Sequence, residues 1–189
     1  PDHEVLAFVG SGGNADVHRV RLDTGHVAAL KVPRWDGTLS RDVVERFTRE
    51  AETWAKLDDH DHIVPVLDWG RQPYPWLLLE YLDASLADRA DDLTIPMSID
   101  VLTGVCDALE FAHGRGVVHL DVKPENVLLT ETNVPKVGDW GLARVLLDHS
   151  HTQLGLTPAY SAPEQLTEEY GDVDRRTDVY QASVLGYRL

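Results

Sequence analysis

Two carboxylates, an amide and an ammonium crowd one part of this sequence: V-V-H-L-D-V-K-P-E-N-V-L-L from Val117 to Leu129, then K-V-G-D-W-G from Lys136 to Gly141. Asp121 stands beside Lys123 and Asn126, a short apolar strand follows, and Asp139 comes next to a glycine-containing turn. At the ends of short strands these groups suit a magnesium–triphosphate site. Carboxylate and amide oxygens hold hard cations, and an ammonium neutralises phosphate. The bland alternative is a pair of polar turns flanking a core strand.

Three further features belong to the same chemistry. G-S-G-G-N-A-D-V, from Gly10 to Val17, is a glycine-rich turn between two strands. Without side chains in the way, its backbone N–H groups could approach a polyphosphate, although a plain glycine hairpin explains it equally well. A strand follows it where a dinucleotide fingerprint needs a helix. Lys31 lies inside the apolar strand Val27–Val32, and Glu50 lies on the apolar stripe of a helix expected over 40–58. A carboxylate on a buried stripe needs a partner. Lys31 is the obvious one, with Arg46 or Arg49 as the alternative.

The elements that must position these groups follow from periodicity. Residues 4–34 read as three strands, with Asp23-Thr24-Gly25 a hairpin turn. Ser40 is an N-cap candidate with Asp42 in the first turn. Val43, Phe47, Glu50, Ala51 and Trp54 recur at three- and four-residue spacing. His60 and His62 read as turn residues, Pro75–Leu82 as an apolar strand, and Ser85–Asp92 as a short acidic helix. A longer helix is expected over Met97–His113, with Ile99, Leu102, Val105, Cys106, Leu109 and Ala112 on its core stripe. His113 is expected to act as a C-terminal cap, and Gly114 and Gly116 to end the helix.

In their order along the chain these features resemble the eukaryotic-like serine/threonine protein kinases. The glycine turn, with Ala15 for its third glycine, is similar to the kinase G-x-G-x-x-G loop, and A-A-L-K at Lys31 to V-A-I-K. H-L-D-V-K-P-E-N resembles H-R-D-L-x-x-x-N, D-W-G at Asp139 resembles D-F-G, and Ala162-Pro163-Glu164 is the A-P-E motif. Asp178 and Gly186 resemble the start of a central helix. The resemblance implies an α+β, two-lobed fold: an N-lobe over 1–82 with an antiparallel sheet and one helix, then a mainly helical, incomplete C-lobe over 83–189.

It also implies roles. Asp121 would orient the substrate hydroxyl and Lys123 stabilise the transferring phosphoryl; Asn126 and Asp139 would hold magnesium. Lys31, kept in place by Glu50, would hold the phosphates of ATP beneath Gly10, Gly12 and Ala15. Val9, Val17, Ala29 and Leu128 would line the adenine slot, with Leu79 as gatekeeper and the backbone of Glu80 to Leu82 on the adenine edge. Thr157 and the A-P-E segment imply a protein serine or threonine hydroxyl as acceptor. A nucleotide-binding scaffold and a small-molecule phosphotransferase of the same architecture are the competing classes.

Three departures stand out. Leu120 replaces the arginine that in the family anchors a phosphorylated loop, so control through Ser150 or Thr152 loses its usual partner. Trp140 replaces phenylalanine, and with Trp54 near His119 it could build an internal aromatic column, independent core tryptophans being the alternative. The sequence stops within the last helix, where a kinase needs roughly another 70–100 residues. Glu164 is then expected to lack its later arginine partner, and the helix to expose an apolar face.

Composition bounds the rest. One cysteine, Cys106, expected to be a buried thiol, excludes an internal disulfide framework and fits a reducing, cytoplasmic setting. A net charge of −15 and a pI near 4.8 speak against a nucleic-acid partner. No apolar run in this chain approaches the ~20 residues of a membrane helix. Acidic residues, mostly aspartate, are spread along the chain, while lysine occurs only at positions 31, 56, 123 and 136. That spread fits a surface adapted to high salt, where self-repulsion is screened. Folded stability is therefore expected to rise between dilute and multimolar salt; a denaturation midpoint that is equal in both would remove this reading.

Overall fold

The computed structural model describes residues 3–12, 15–34, 40–57, 59–142, 144–145 and 157–189. They form two compact units, Pro1–Asp58 with Pro65–Tyr81, and Asp59–Val64 with Leu82–Leu189. The first is a five-stranded sheet and a helix, and the second is mainly helical, the α+β arrangement that the sequence predicts.

In the first unit β1 (His3–Gly12), β2 (Ala15–Leu22), β3 (Val27–Pro33), β4 (Val66–Gly70) and β5 (Trp76–Glu80) pair antiparallel in the order β1-β2-β3-β5-β4. The β2–β3 hairpin closes with Gly25 N–H donating to Leu22 O at 2.8 Å. Gly25 takes φ 85°, a conformation in which a side chain would be strained. Alternation along β3 then sorts side chains onto two faces. Ala28 and Leu30 join Val20 and Leu78 in a buried cluster flanked by Leu22, Val32 and Trp76, and Ala29 and Lys31 point the other way. The helix α1 (Arg41–Trp54) starts where expected, with Val43 N–H donating to Ser40 Oγ at 3.3 Å. It buries Phe47, Thr48, Ala51 and Trp54.

The second unit is built on α3 (Ile95–Gly114) and α5 (Arg175–Arg188), which pack on each other. Before them come β6 (Ala84–Ser85) and α2 (Leu86–Arg89). Ser85 donates to Asp88 Oδ2 through both its backbone N–H and its hydroxyl, which holds the Asp88 carboxyl below its ordinary value. Between α3 and α5 lie β7 (Val117–Val118), β8 (Val127–Leu129), β9 (Pro135–Val137), β10 (Arg144–Val145) and α4 (Pro163–Leu166). β6, β8 and β9 form a three-stranded sheet, and β7 pairs with β10. Among the described residues no helix is long and apolar enough to cross a membrane.

The buried stripe of α3 includes the expected Val105, Leu109 and Ala112, with Leu102 half-buried, and corrects the sequence reading at Ile99 and Cys106. Ser98, Val101, Gly104, Val105, Ala108, Leu109 and Ala112 face inward, whereas Ile99 is 59% exposed and Cys106 lies on the solvent side. At one point of this largely apolar face close approach decides: a Cβ on Gly104 would sit 2.6 Å from Pro135 Cγ and 2.9 Å from the His62 ring. Cys106 is thus an exposed thiol, pushed above its ordinary pKa by partial desolvation and then by the Asp107 carboxylate. α5 buries Thr177, Asp178 and Gln181 beside Ala182 and Leu185, and leaves Val179, Tyr180 and Tyr187 to solvent.

His62 Nδ1 lies 2.9 Å from Pro135 O, so neither that ring nor the proline can retreat from residue 104. Gly104→Ala gains up to about 1 kcal/mol of helix propensity but meets an overpacking cost of about 1–3 kcal/mol. Net destabilisation is expected, read as a lower urea midpoint at unchanged slope.

Candidate functional site

The first unit assembles one half of the predicted constellation by strand register alone. Val17 lies opposite Lys31, and Ala29 lies opposite Leu79. Because partners across a ladder share a face, Val17, Ala29, Lys31 and Leu79 stand on one side of the sheet. Gly10 pairs with Val17 and Gly12 with Ala15, while Val9 in the same strand is half exposed. A Cβ on Gly10 would meet nothing within 4 Å, and Gly10 has no positive φ. Neither packing nor backbone conformation of the chain itself therefore demands glycine there. Glu80 ends β5 with its N–H on Pro65 O at 3.1 Å, and Leu82 follows as part of the second unit.

Lys31 Nζ meets Glu50 Oε1 at 2.5 Å, with side chains 9% and 12% exposed. Trp54, one helical turn on, puts its ring 5.8 Å from the same ammonium. Removing either charge would leave the other desolvated, a loss of about 3–5 kcal/mol for a broken buried pair. The tryptophan supplies a polarisable wall that favours the cation.

The second unit gathers the other half around Asp121, which is 7% exposed. Lys123 Nζ lies 2.8 Å from Asp121 Oδ2 and donates to Thr157 Oγ1 at 2.9 Å. The Thr157 hydroxyl in turn points at Asp121 Oδ1, 3.5 Å away. Asn126 donates through Nδ2 to both the backbone oxygen and Oδ2 of Asp121, at 2.8 and 2.9 Å. Both amide hydrogens are engaged on Asp121, so the amide oxygen is the atom left for a cation. Asn126 O accepts from Gly138 N–H at 2.8 Å, which ties the segment carrying Asp139 to the segment carrying Asp121. Asp139 takes φ 54° at the end of β9. Leu128, half-buried in β8, pairs with Ser85 and Lys136.

His119 lies under this pair of segments with no exposed surface. Its Nδ1 accepts from Asp121 N–H at 3.2 Å, so the ring hydrogen is on Nε2 and is donated to Gly138 O at 2.9 Å. Trp140 packs against it in a tilted contact, 4.5 Å between centroids, and gives its indole N–H to Val137 O at 3.4 Å. Trp54 belongs to the first unit, against Lys31.

Leu120 sits at φ 68°, a conformation costing a branched residue about 1–2 kcal/mol. Its surroundings enforce it. Asp178, fully buried, accepts from Leu120 N–H at 2.8 Å and from His119 N–H at 2.9 Å. Leu120 O accepts from Gln165 Nε2 at 2.8 Å and Gln181 Nε2 at 3.0 Å, and Val122 N–H donates to Gln181 Oε1 at 2.9 Å.

Several of these contacts differ from the sequence reading. His113 is no helix cap: its Nε2 lies 2.7 Å from Asp178 Oδ2. The helix dipole suggested the cap, but the long-range carboxylate supplies a stronger partner. Glu164 accepts from Thr177 Oγ1 at 2.7 Å. Gln165 and Gln181 carry no sequence signal, since glutamine at these spacings is an ordinary surface residue. Ser150 and Thr152 lie outside the described residues. Among those described, no group of three histidine, cysteine or carboxylate side chains is set to hold a metal.

A family model described as "Protein kinase domain" matches residues 3–189. The serine/threonine-protein kinase PknB of Mycobacterium tuberculosis is 35% identical over 202 residues, which cover 99% of this chain and 32% of that protein. PknB of Mycobacterium leprae is 36% identical over 201 residues, with the same coverage of 99% and 32%. Pkn1 of Myxococcus xanthus is 35% identical over 193 residues, covering 96% of this chain and 27% of that protein. The chain spans about a third or less of the length of these relatives.

Asp178→Asn should measure what the buried carboxylate contributes. Asparagine offers one acceptor oxygen where three donors converge, and its NH2 would face one of them. A loss of about 2–4 kcal/mol is expected from the unsatisfied groups. Urea unfolding checks it, and a change under about 0.5 kcal/mol, the size of an ordinary surface substitution, would contradict the assigned bonding.

Proposed function

The chain belongs to the protein kinase domain family, and on that premise we propose that it transfers the γ-phosphoryl group of ATP to a serine or threonine hydroxyl of a protein. The observation that carries this reading is the cluster in which Asp121, Lys123, Asn126 and Thr157 are hydrogen-bonded to one another. Phosphoryl transfer asks for placement and charge neutralisation, and those are what these groups provide.

In this reading Asp121 accepts a hydrogen bond from the attacking hydroxyl and orients its oxygen. Lys123 lies on the same carboxylate, where its ammonium offsets charge gathering on the transferred group. Thr157 holds Lys123 in that place and marks a hydroxyl-bearing protein as acceptor. Lys31 would take the nucleotide phosphates, its direction fixed by Glu50. Gly10, Gly12 and Ala15 would let backbone N–H groups come close, and Val9, Val17, Ala29, Leu79 and Leu128 would flank the base, with Glu80 to Leu82 on its edge.

Asn126 and Asp139 are the magnesium candidates. One amide oxygen and one carboxylate are a suitable protein share for a cation that keeps water and phosphate oxygens as its other ligands. The engagement of both Asn126 amide hydrogens on Asp121 supports the fit, because it presents the oxygen. When bound, magnesium would neutralise charge on the phosphate oxygens. A role in signalling and a surface adapted to high salt fit the family and the composition respectively.

The test is transfer of labelled phosphate from ATP to a generic basic protein, with and without magnesium, at low and multimolar salt. Asp121→Asn is expected to lower kcat by about 10²–10⁴-fold, the usual worth of a positioned proton acceptor. Chelating magnesium should abolish transfer, and adding it back should restore it. Transfer indifferent to Asp121→Asn would defeat the assignment.

A further inference from the structure

We infer that Gln165 and Gln181 are positioning residues for the transfer reaction, forming an amide clamp on the main chain either side of Asp121; this rests on the kinase reading above. Gln181 grips both flanks of the aspartate. Its Nε2 donates to Leu120 O at 3.0 Å, and its Oε1 accepts from Val122 N–H at 2.9 Å. The two peptide groups that flank Asp121 are thereby held by one side chain on a rigid helix. Gln165 completes the device. Its Nε2 donates to the same Leu120 oxygen at 2.8 Å, and its Oε1 accepts from Gln181 Nε2 at 2.9 Å and from Ala162 N–H at 2.9 Å.

All five residues are buried: Gln165 6%, Gln181 2%, Leu120 6%, Val122 1% and Ala162 0% exposed. A buried amide is tolerated only when its hydrogens and oxygen find partners, and every bond named here engages one. The clamp also has something to hold. Leu120 at φ 68° would relax toward an ordinary conformation if released, and relaxation would swing the following Asp121. An ionic anchor is unavailable at position 120, where the side chain is apolar and buried. The main-chain oxygen of the same residue takes the hold instead. Through Ala162 the clamp reaches the segment beginning at Thr157, whose hydroxyl meets Lys123. Both sides of the acceptor site are thus set by one pair of amides.

The experiment uses the full-length protein with Gln181→Met, Gln165→Met and the double variant, measured by steady-state transfer from labelled ATP. Each single variant is expected to lower kcat by about 10- to 100-fold, the effect of a misplaced reacting group. KM for ATP should stay within about twofold, because the nucleotide contacts are untouched. The double variant should fall little below the worse single one, because both amides hold one oxygen and each other. A folded Gln181→Met protein with kcat within about threefold of wild type, too little for a lost positioning contact, would overturn the clamp. So would a loss confined to KM for ATP. Where a variant does not fold, amide hydrogen exchange on the unaltered protein decides. Val122 N–H should exchange among the slowest of the chain, and exchange at the rate of an open loop would overturn the clamp. Wild-type transfer that ignores Asp121→Asn would instead defeat the kinase reading, and with it any positioning role in transfer. Slow Val122 exchange would then still report the clamp as a fold feature.

Discussion

A carboxylate with no exposed surface has to replace the water it lost with hydrogen-bond donors, and Asp178 does so with the main chain of the segment before Asp121. Its two oxygens receive Leu120 N–H, His119 N–H and the His113 ring. Two of these donors are backbone groups that no secondary structure satisfies, so each side supplies what the other lacks. His119 extends the hold: one ring nitrogen takes Asp121 N–H and the other gives its hydrogen to Gly138 O, beside Asp139. A chain of buried bonds thus runs from α5 to the main chain at Asp121 and at Gly138, beside Asp139.

The first unit solves the same problem with opposite charges. Glu50 is carried inward by helical periodicity and Lys31 by strand alternation, and each would be an expensive solitary ion. Together they make a stiff ammonium on a sheet face otherwise lined by Val17, Ala29 and Leu79. What is costly for stability would be useful in the proposed reaction, because an ammonium whose side chain is held from behind would present charge to a phosphate without further ordering.

Features that depended on local spacing could be read in the sequence. Asp121, Lys123 and Asn126 lie within one turn of chain, so their meeting needed no knowledge of the fold. Lys31 and Glu50 could be paired because two independent periodicities both buried a charge. Val105, Leu109 and Ala112 of the α3 stripe are legible in the same way, but Ile99 and Cys106 are not: Gly104 admits Pro135 and His62 more closely than a larger side chain could, and steric room leaves no hydrophobic mark. His113 was given a local role because its partner Asp178 is 65 residues away. The glutamines were invisible for a related reason: a glutamine that reads as surface polarity becomes structural only when two distant elements bring a bare carbonyl to it.

Leu120 joins these observations. Its side chain packs away from solvent and offers no charge, while its peptide groups receive bonds from α4 and α5 at once. Side chain and main chain have separate jobs at this position: the first fills the core, and the second fixes the direction in which Asp121 leaves the loop. A left-handed leucine is unstable on its own and persists only because carboxylate and amide partners over-determine it. Hence the strain and the satisfied buried network require each other. Without the network the loop would relax, and without the strained turn the peptide groups beside Asp121 would no longer lie where Asp178, Gln165 and Gln181 can reach them.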